Sequence, residues 1–145
     1  MATMTLNLPV PLTAQQITNL GALLVAAINN QTTLQNNKAT DTAAIQNNLT
    51  TAQAQTQTDI GAAPMVLAQD VLNANRIQGN LTTVTATYDA AIATSKSNQA
   101  TLAKDLAVGY SMQPVVCTVD TNGIVTRTDS NTVVSWMKIS PPPKS

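Results

Sequence analysis

The stretch Gly61-Ala62-Ala63-Pro64 decides the fold, because it interrupts a long helical pattern. Glycine is favoured just past the end of a helix, and proline is favoured at the first position of the next helix. Pro64 also lacks an amide hydrogen, so an unbroken helix would lose its bond to Ile60, at a cost of about 3 kcal/mol. The chain therefore either reverses into an antiparallel hairpin or kinks and continues as one rod. Short helix–helix connections favour the hairpin, and a continuous kinked rod remains the alternative.

Upstream of the break, a helix is predicted to begin at Thr13. Thr13-Ala14-Gln15-Gln16 fits a capping box, in which a hydroxyl and a side-chain amide satisfy each other's backbone donors. Leu12 and Ile17 occupy the flanking hydrophobic-staple positions. Apolar residues then recur at intervals of threes, fours and their sums as far as Ile60, so one narrow apolar stripe is expected along this helix.

Downstream of the break, a second helix is predicted from Pro64 to Gly109. From Ile77 to Ile92 the apolar steps are four, three, four and four, which is a helical period. Each helix should hold about 45 residues and measure about 65–70 Å at 1.5 Å per residue.

After Gly109 the apolar period changes to two, which indicates strands. Val115, Cys117 and Val119 alternate with outward positions, and Asn122-Gly123 predicts a hairpin with a type I′ turn, because both residues tolerate positive φ. A further strand is expected over Thr132–Ile139, which completes a three-stranded antiparallel meander. Trp136 in that strand either fills the core of the small sheet or anchors an interface.

The first residues have no helical period and contain Pro9 and Pro11, which favour an extended conformation. This segment is either a tail or a docking arm that lays Leu6, Leu8 and Val10 on a neighbour. The predicted protein is mainly α with a small β end. Its layout is an extended arm over 1–12, two helices over 13–109 broken at 61–64, a small β meander over 110–140 and a Pro-rich tail over 141–145.

The composition argues against several classes of function. The net charge is zero and no basic stripe is visible, so no nucleic-acid partner is expected. The longest apolar run, Leu20–Ile28, is about half of the roughly 20 residues that cross a bilayer, so no membrane partner is expected. No Lys or Arg precedes that run, which makes it a poor signal peptide.

Residues that carry chemistry are scarce. The chain has no His, which is the commonest general base and metal ligand, and all of its acidic residues are widely separated Asp residues. Cys117 is the single cysteine and lies in a strand pattern, where packing explains it better than nucleophilic catalysis. We therefore expect no catalytic, cofactor-binding or metal site, and no enzyme.

The helices are expected to depend on other copies of the chain. Much of the apolar content is Ala, which buries little area, so two thin stripes contribute little to stability against the entropy of ordering two long helices. Gln31, Lys38 and Asp41 interrupt the apolar stripe. A polar residue in the core of a coiled coil can form a hydrogen bond across chains and fix the register. For Lys38 and Asp41, a partly exposed position at the edge of the stripe is the favoured interpretation. The predicted oligomer interface consists of Ile17, Leu20, Leu24, Ile28, Leu34, Ile45, Leu49, Ile77, Leu81, Val84, Tyr88, Ile92, Leu102 and Leu106.

A long helical segment rich in Gln, Asn, Thr and Ala, with few charges and a small β end, resembles structural proteins of tailed-bacteriophage virions. The resemblance covers fibres, head decorations and tail or neck attachments, and rests on composition and layout alone. It implies a non-enzymatic homo-oligomer, with a trimer favoured, that forms a helical stalk, a fibre or a capsid-decoration or attachment element. It also implies capsid or tail components as partners, assembly in the host cytoplasm and a place in the virion.

Two other classes remain open from the sequence. One is a secreted bacterial helical hairpin acting as an effector or adhesin partner, although the Trp-x-Gly turn of small secreted hairpins is replaced here by Gly61–Pro64. The other is an assembly chaperone or scaffold, although such proteins usually carry many more charges than this chain does.

Overall fold

A computed structural model describes the backbone of residues 2–138 and the side chains of residues 2–134. The predicted Pro-rich tail lies outside the described residues. Two helices of 45 residues each are confirmed, together with a small antiparallel sheet. The elements in chain order are β1 (Ala2–Pro11), α1 (Ala14–Thr58), α2 (Pro64–Val108), β2 (Tyr110–Val119), β3 (Ile124–Arg127) and β4 (Val133–Lys138).

The chain divides into two compact units. One contains residues 20–103 and the other contains residues 1–19 with 104–145.

Within residues 20–103, the chain reverses and the two helices pair as an antiparallel hairpin. The ammonium of Lys38 donates to the carboxylate of Asp89 over 2.5 Å, and the Ser95 hydroxyl donates to the carbonyl of Ala27 over 3.1 Å. Partner numbers rise on one helix as they fall on the other, which defines the antiparallel direction. Of the two alternatives that the Gly61–Pro64 break leaves open, the structure has the hairpin.

The helix ends follow the local signals. Gln16 N donates to the Thr13 hydroxyl over 3.1 Å, and Thr13 N donates to the Gln16 side-chain oxygen over 2.9 Å, which completes the predicted capping box. α1 ends at Thr58 and α2 begins at Pro64. Gly109 follows α2 with φ 75°, the left-handed conformation that glycine adopts without steric penalty.

The sheet has four strands in the order β1-β2-β3-β4, so the expectation of three strands is wrong by one. The additional strand is β1, which pairs along its whole length with β2, from Ala2 opposite Val119 to Pro11 opposite Tyr110. The prolines that favoured an unpaired arm are tolerated because β1 is an edge strand, where one row of amide groups needs no partner within the sheet.

The core of the sheet unit lies on one face of the strands. Leu8 on β1, Val115 and Cys117 on β2, Val125 on β3 and Val134 on β4 are buried. The guanidinium of Arg127 on β3 donates to the carbonyl of Pro9 on β1 over 2.7 Å, which ties non-adjacent strands together above that core.

Candidate assembly interface

The contact surface between α1 and α2, here called the seam, positions the residues predicted for an oligomer interface. Most of the fourteen are half-buried in the chain by itself; Leu49 is fully buried, and Ile17 and Ile28 are exposed. The half-buried ones are Leu20, Leu24, Leu34, Ile45, Ile77, Leu81, Val84, Tyr88, Ile92, Leu102 and Leu106.

The residues shielded along α1 recur in steps of three and four, which is the spacing of a coiled-coil seam. Small and polar side chains occupy many shielded positions of both helices, so a count of large apolar residues does not reveal them. Ala52 of α1 and Ser95 of α2 are buried, and Gln99 of α2 is half-buried. They could have been found by extending the three–four spacing through Ala, Ser and Gln instead of counting only large apolar residues.

Polar groups in the seam bond between the two helices of one chain. The amide of Gln99 donates to the Gln31 side-chain oxygen over 2.6 Å and to the Ala27 carbonyl over 3.3 Å. Gln31, for which the sequence suggested a bond between chains, therefore has a partner within its own hairpin. Each such bond requires one particular alignment of the helices, so these residues fix the register of the hairpin.

Charged groups add to the register in the middle of the hairpin. Lys38 is half-buried beside Asp89, and Asp41 is exposed and accepts a hydrogen bond from the hydroxyl of Tyr88. That hydrogen bond, followed by burial and the negative charge of Asp41, raises the pKa of Tyr88 above its usual value. The tyrosine therefore remains a neutral donor at physiological pH.

Two carboxylates, Asp59 and Asp70, lie near the reversal of the chain. Asp59 follows α1 and Asp70 is in the second turn of α2, and one oxygen of Asp70 is shielded from solvent without a described hydrogen-bond donor. Hydrogen bonding to Asp59, burial and the charge of Asp59 raise the pKa of Asp70. The Asp70 carboxyl therefore keeps its proton to a higher pH than a free aspartate does.

Grooves open beside the seam in the described part of the hairpin. The groove nearest the reversal has a volume of about 530 Å³ and is lined largely by polar residues of α1, with Val71 and Ala74 of α2. A middle groove of about 370 Å³ lies between Leu34 and Val84. The third, of about 420 Å³, is lined by Leu23, Ala27, Asn98, Thr101 and Leu102.

Large apolar side chains are exposed mainly at two places on the hairpin unit. Leu23, Val25 and Ile28 are neighbours in the sequence of α1; Leu23 and Ile28 flank the seam on opposite sides, Val25 lies farther round the helix, and Leu23 is 56% exposed. The second place is the chain reversal, where Ile60 is 66% and Met65 is 86% exposed. Between these places the outward surface consists mainly of Asn, Gln, Thr and Ala, so both places stand out as candidate contact surfaces.

In the sheet unit, the residues predicted as a docking arm belong to the chain's own sheet. Leu8 is 1% exposed, and Leu6 and Val10 are half-buried against the same core. Trp136 lies in β4, and its side chain is outside the described residues. Cys117 is fully buried within the core cluster.

Among the described residues, no group of three or more metal-ligating side chains could hold an ion. No helix within that range is long and apolar enough to cross a membrane. No protein-family model, curated protein or solved structure matches this chain.

Proposed function

We propose that this chain is a non-enzymatic structural protein of a tailed-bacteriophage virion. In this proposal several copies, with three favoured, associate through their hairpins to form a helical stalk, a fibre or a capsid-decoration or attachment element. Capsid or tail components are its further partners, and assembly takes place in the host cytoplasm.

The observation that carries the proposal is the half-open seam. In ninety helical residues, the hairpin fully buries Leu49, Ala52 and Ser95 and no others, while most large apolar seam residues retain partial exposure. Two helices leave both sides of the contact surface between them open to solvent, so further helices are needed to bury those residues. Copies of the same hairpin supply helices of matching length and spacing.

Exposed apolar residues on either side of the seam support the same conclusion. Leu23 and Ile28 flank the seam on opposite sides, and Leu23 lines a groove together with Leu102 of α2. Burial of such side chains against another copy would stabilise an assembly by about 1.5–3 kcal/mol each. The exposed residues around the chain reversal offer a separate surface on which another virion component could be anchored.

The antiparallel hairpin also favours the second candidate, a secreted helical hairpin acting as an effector or adhesin partner. The two candidates differ in self-association. A virion stalk needs a discrete oligomer, whereas a secreted effector that presents its hairpin to another protein requires none.

Light scattering coupled to size exclusion, applied over a hundredfold range of concentration, tests the proposal. We expect a discrete species of about three times the 15.1 kDa chain mass. Leu23→Asp should dissociate it, and Thr33→Asp, at an exposed position of the same helix, should leave it intact. A monomeric wild-type chain at every concentration would refute the proposal, and detection of the chain in purified phage particles would test the virion assignment separately.

A further inference from the structure

One of the two edges of the sheet is formed by β1, and the other by β4. β1 is the outermost strand of the order β1-β2-β3-β4, and among residues 2–138 it pairs only with β2. An unpaired strand edge presents a row of backbone N–H and C=O groups that can accept another strand.

The prolines identify which backbone groups point outward. Pro9 lies opposite Met112, and Pro114 lies opposite Asn7. Because proline has no amide hydrogen, these positions suit the non-hydrogen-bonded pairs of an antiparallel ladder, whose backbone groups point away from the partner strand. The odd-numbered residues of β1 therefore turn their backbone groups toward the open edge.

Two observed hydrogen bonds agree with this alternation. The amide of Thr128 donates to the carbonyl of Val116, so the even-numbered residues of β2 face β3 and not β1. The amide of Leu12 donates to the carbonyl of Gly109, which continues the hydrogen-bonded set of the β1–β2 ladder on the even numbers of β1. Thr3, Thr5 and Asn7 consequently turn their N–H and C=O groups toward the edge, where the described part of the chain gives them no backbone partner.

Over Ala2–Leu8 the edge lacks the features by which sheets usually avoid pairing. Charged side chains, bulges and prolines normally block an exposed edge strand. β1 itself has no charged side chain, and its ladder with β2 has no register shift. Pro9, Pro11 and the Arg127 guanidinium, which donates to the Pro9 carbonyl, block the other end of the strand.

We propose that β1 pairs with β1 of a second copy of this chain, antiparallel and about a two-fold axis at Thr5. In this register Thr5 lies opposite Thr5 of the second copy, and Thr3 lies opposite Asn7. All residues from Ala2 to Leu8 are paired, and Pro9 falls just beyond the end. Because the axis lies between the two Thr5 residues, odd-numbered residues lie opposite odd-numbered ones. The outward N–H and C=O groups of both strands therefore meet, and the core faces of both sheets stay on the same side.

The burial of the core face supports this occupant. Leu8 is buried, whereas Met4 and Leu6 on the same face are only half-buried. In the proposed register Met4 of one copy lies beside Leu6 of the other, so the apolar surface continues across the junction. A strand from another protein would need the same alternation of apolar and polar residues, without charges, and β1 itself has that pattern.

Disulfide trapping tests the register. Residues facing each other in a hydrogen-bonded antiparallel pair have Cα atoms about 5.5 Å apart, within the range a disulfide can bridge. We expect Thr5→Cys alone to form covalent dimers under mild oxidation. Thr3→Cys alone and Asn7→Cys alone should not, whereas a mixture of these two variants should. Cys117 is fully buried, and the wild-type chain measures how much disulfide-linked dimer this native cysteine forms without an introduced one.

A non-covalent comparison separates edge pairing from incidental collision. Thr5→Pro removes the outward amide hydrogen while leaving the β1–β2 hydrogen bonds in place, and Thr5→Val keeps that hydrogen. Two hydrogen bonds are lost in the pair, so Thr5→Pro should raise the dissociation constant of the edge contact by about tenfold or more. Thr5→Val should leave the constant nearly unchanged.

The two contacts are measured separately: two-fold edge pairing would join hairpin trimers into larger species, so light scattering on Thr5→Pro reports the hairpin association alone. The hairpin variant Leu23→Asp should abolish hairpin association yet still permit trapping when combined with Thr5→Cys. No trapping of Thr5→Cys in a folded protein, or equal trapping of all three single variants, would overturn the proposal. Equal dissociation constants for Thr5→Pro and Thr5→Val would also overturn it, and a strand of another protein would then be the alternative occupant of the edge.

Discussion

Truncation of Leu23 to alanine measures whether other copies cover the hairpin. Leu23 is 56% exposed in the single chain, so less than half of its side chain is removed from solvent. Complete burial of a leucine contributes about 1.5–3 kcal/mol, and the observed fraction therefore corresponds to about 1 kcal/mol. If a second copy covers Leu23, the change should instead cost about 2–5 kcal/mol, as for a buried leucine.

Leu49→Ala provides the matched reference, because Leu49 is 3% exposed within the hairpin and needs no other copy for its burial. We expect the two variants to lose similar free energies of unfolding at high protein concentration, measured by urea denaturation. On hundredfold dilution the wild-type midpoint should fall, as linkage requires for an assembled state. A loss of only about 1 kcal/mol for Leu23→Ala, with a midpoint independent of concentration, would show that the hairpin folds alone.

Three further predictions concern single residues. The folded pKa of Asp70 is raised, so its stabilising effect is complete below its unfolded value and is lost as pH rises through the folded pKa. Asp70→Asn should therefore flatten the fall in stability above about pH 4 and give a higher melting temperature than wild type at pH 7; a steeper fall in the variant would contradict the raised pKa of Asp70. Gly109→Ala should lower the free energy of unfolding by about 1 kcal/mol or more, because φ at this position is 75°, and an unchanged urea midpoint would count against that strain. Cys117→Ser should cost about 1–3 kcal/mol because it puts a hydroxyl into an apolar core, and it should leave self-association by light scattering intact; loss of association in the folded variant would mean that the thiol has a role beyond packing.

The sequence alone predicts the features that depend on neighbours in the chain. The capping box at Thr13, the break at Gly61–Pro64 and the glycine after α2 each rest on interactions within about four residues. A turn is also found at Asn122-Gly123, but Gly123 has φ 77° and Asn122 has no positive φ, so it is not the type I′ turn that this dipeptide predicts. Such signals fix where helices and turns begin and end, because the groups that satisfy one another are close in the chain.

Only the tertiary structure shows the pairings between distant segments. The hairpin brings Gln31 to Gln99 and Lys38 to Asp89, and β1 pairs with a strand a hundred residues away. Serine is usually exposed, but Ser95 is buried because the opposite helix provides an acceptor for its hydroxyl. The choice between hairpin and rod, and between arm and strand, depends on which distant surfaces meet, and no local pattern of residues records that.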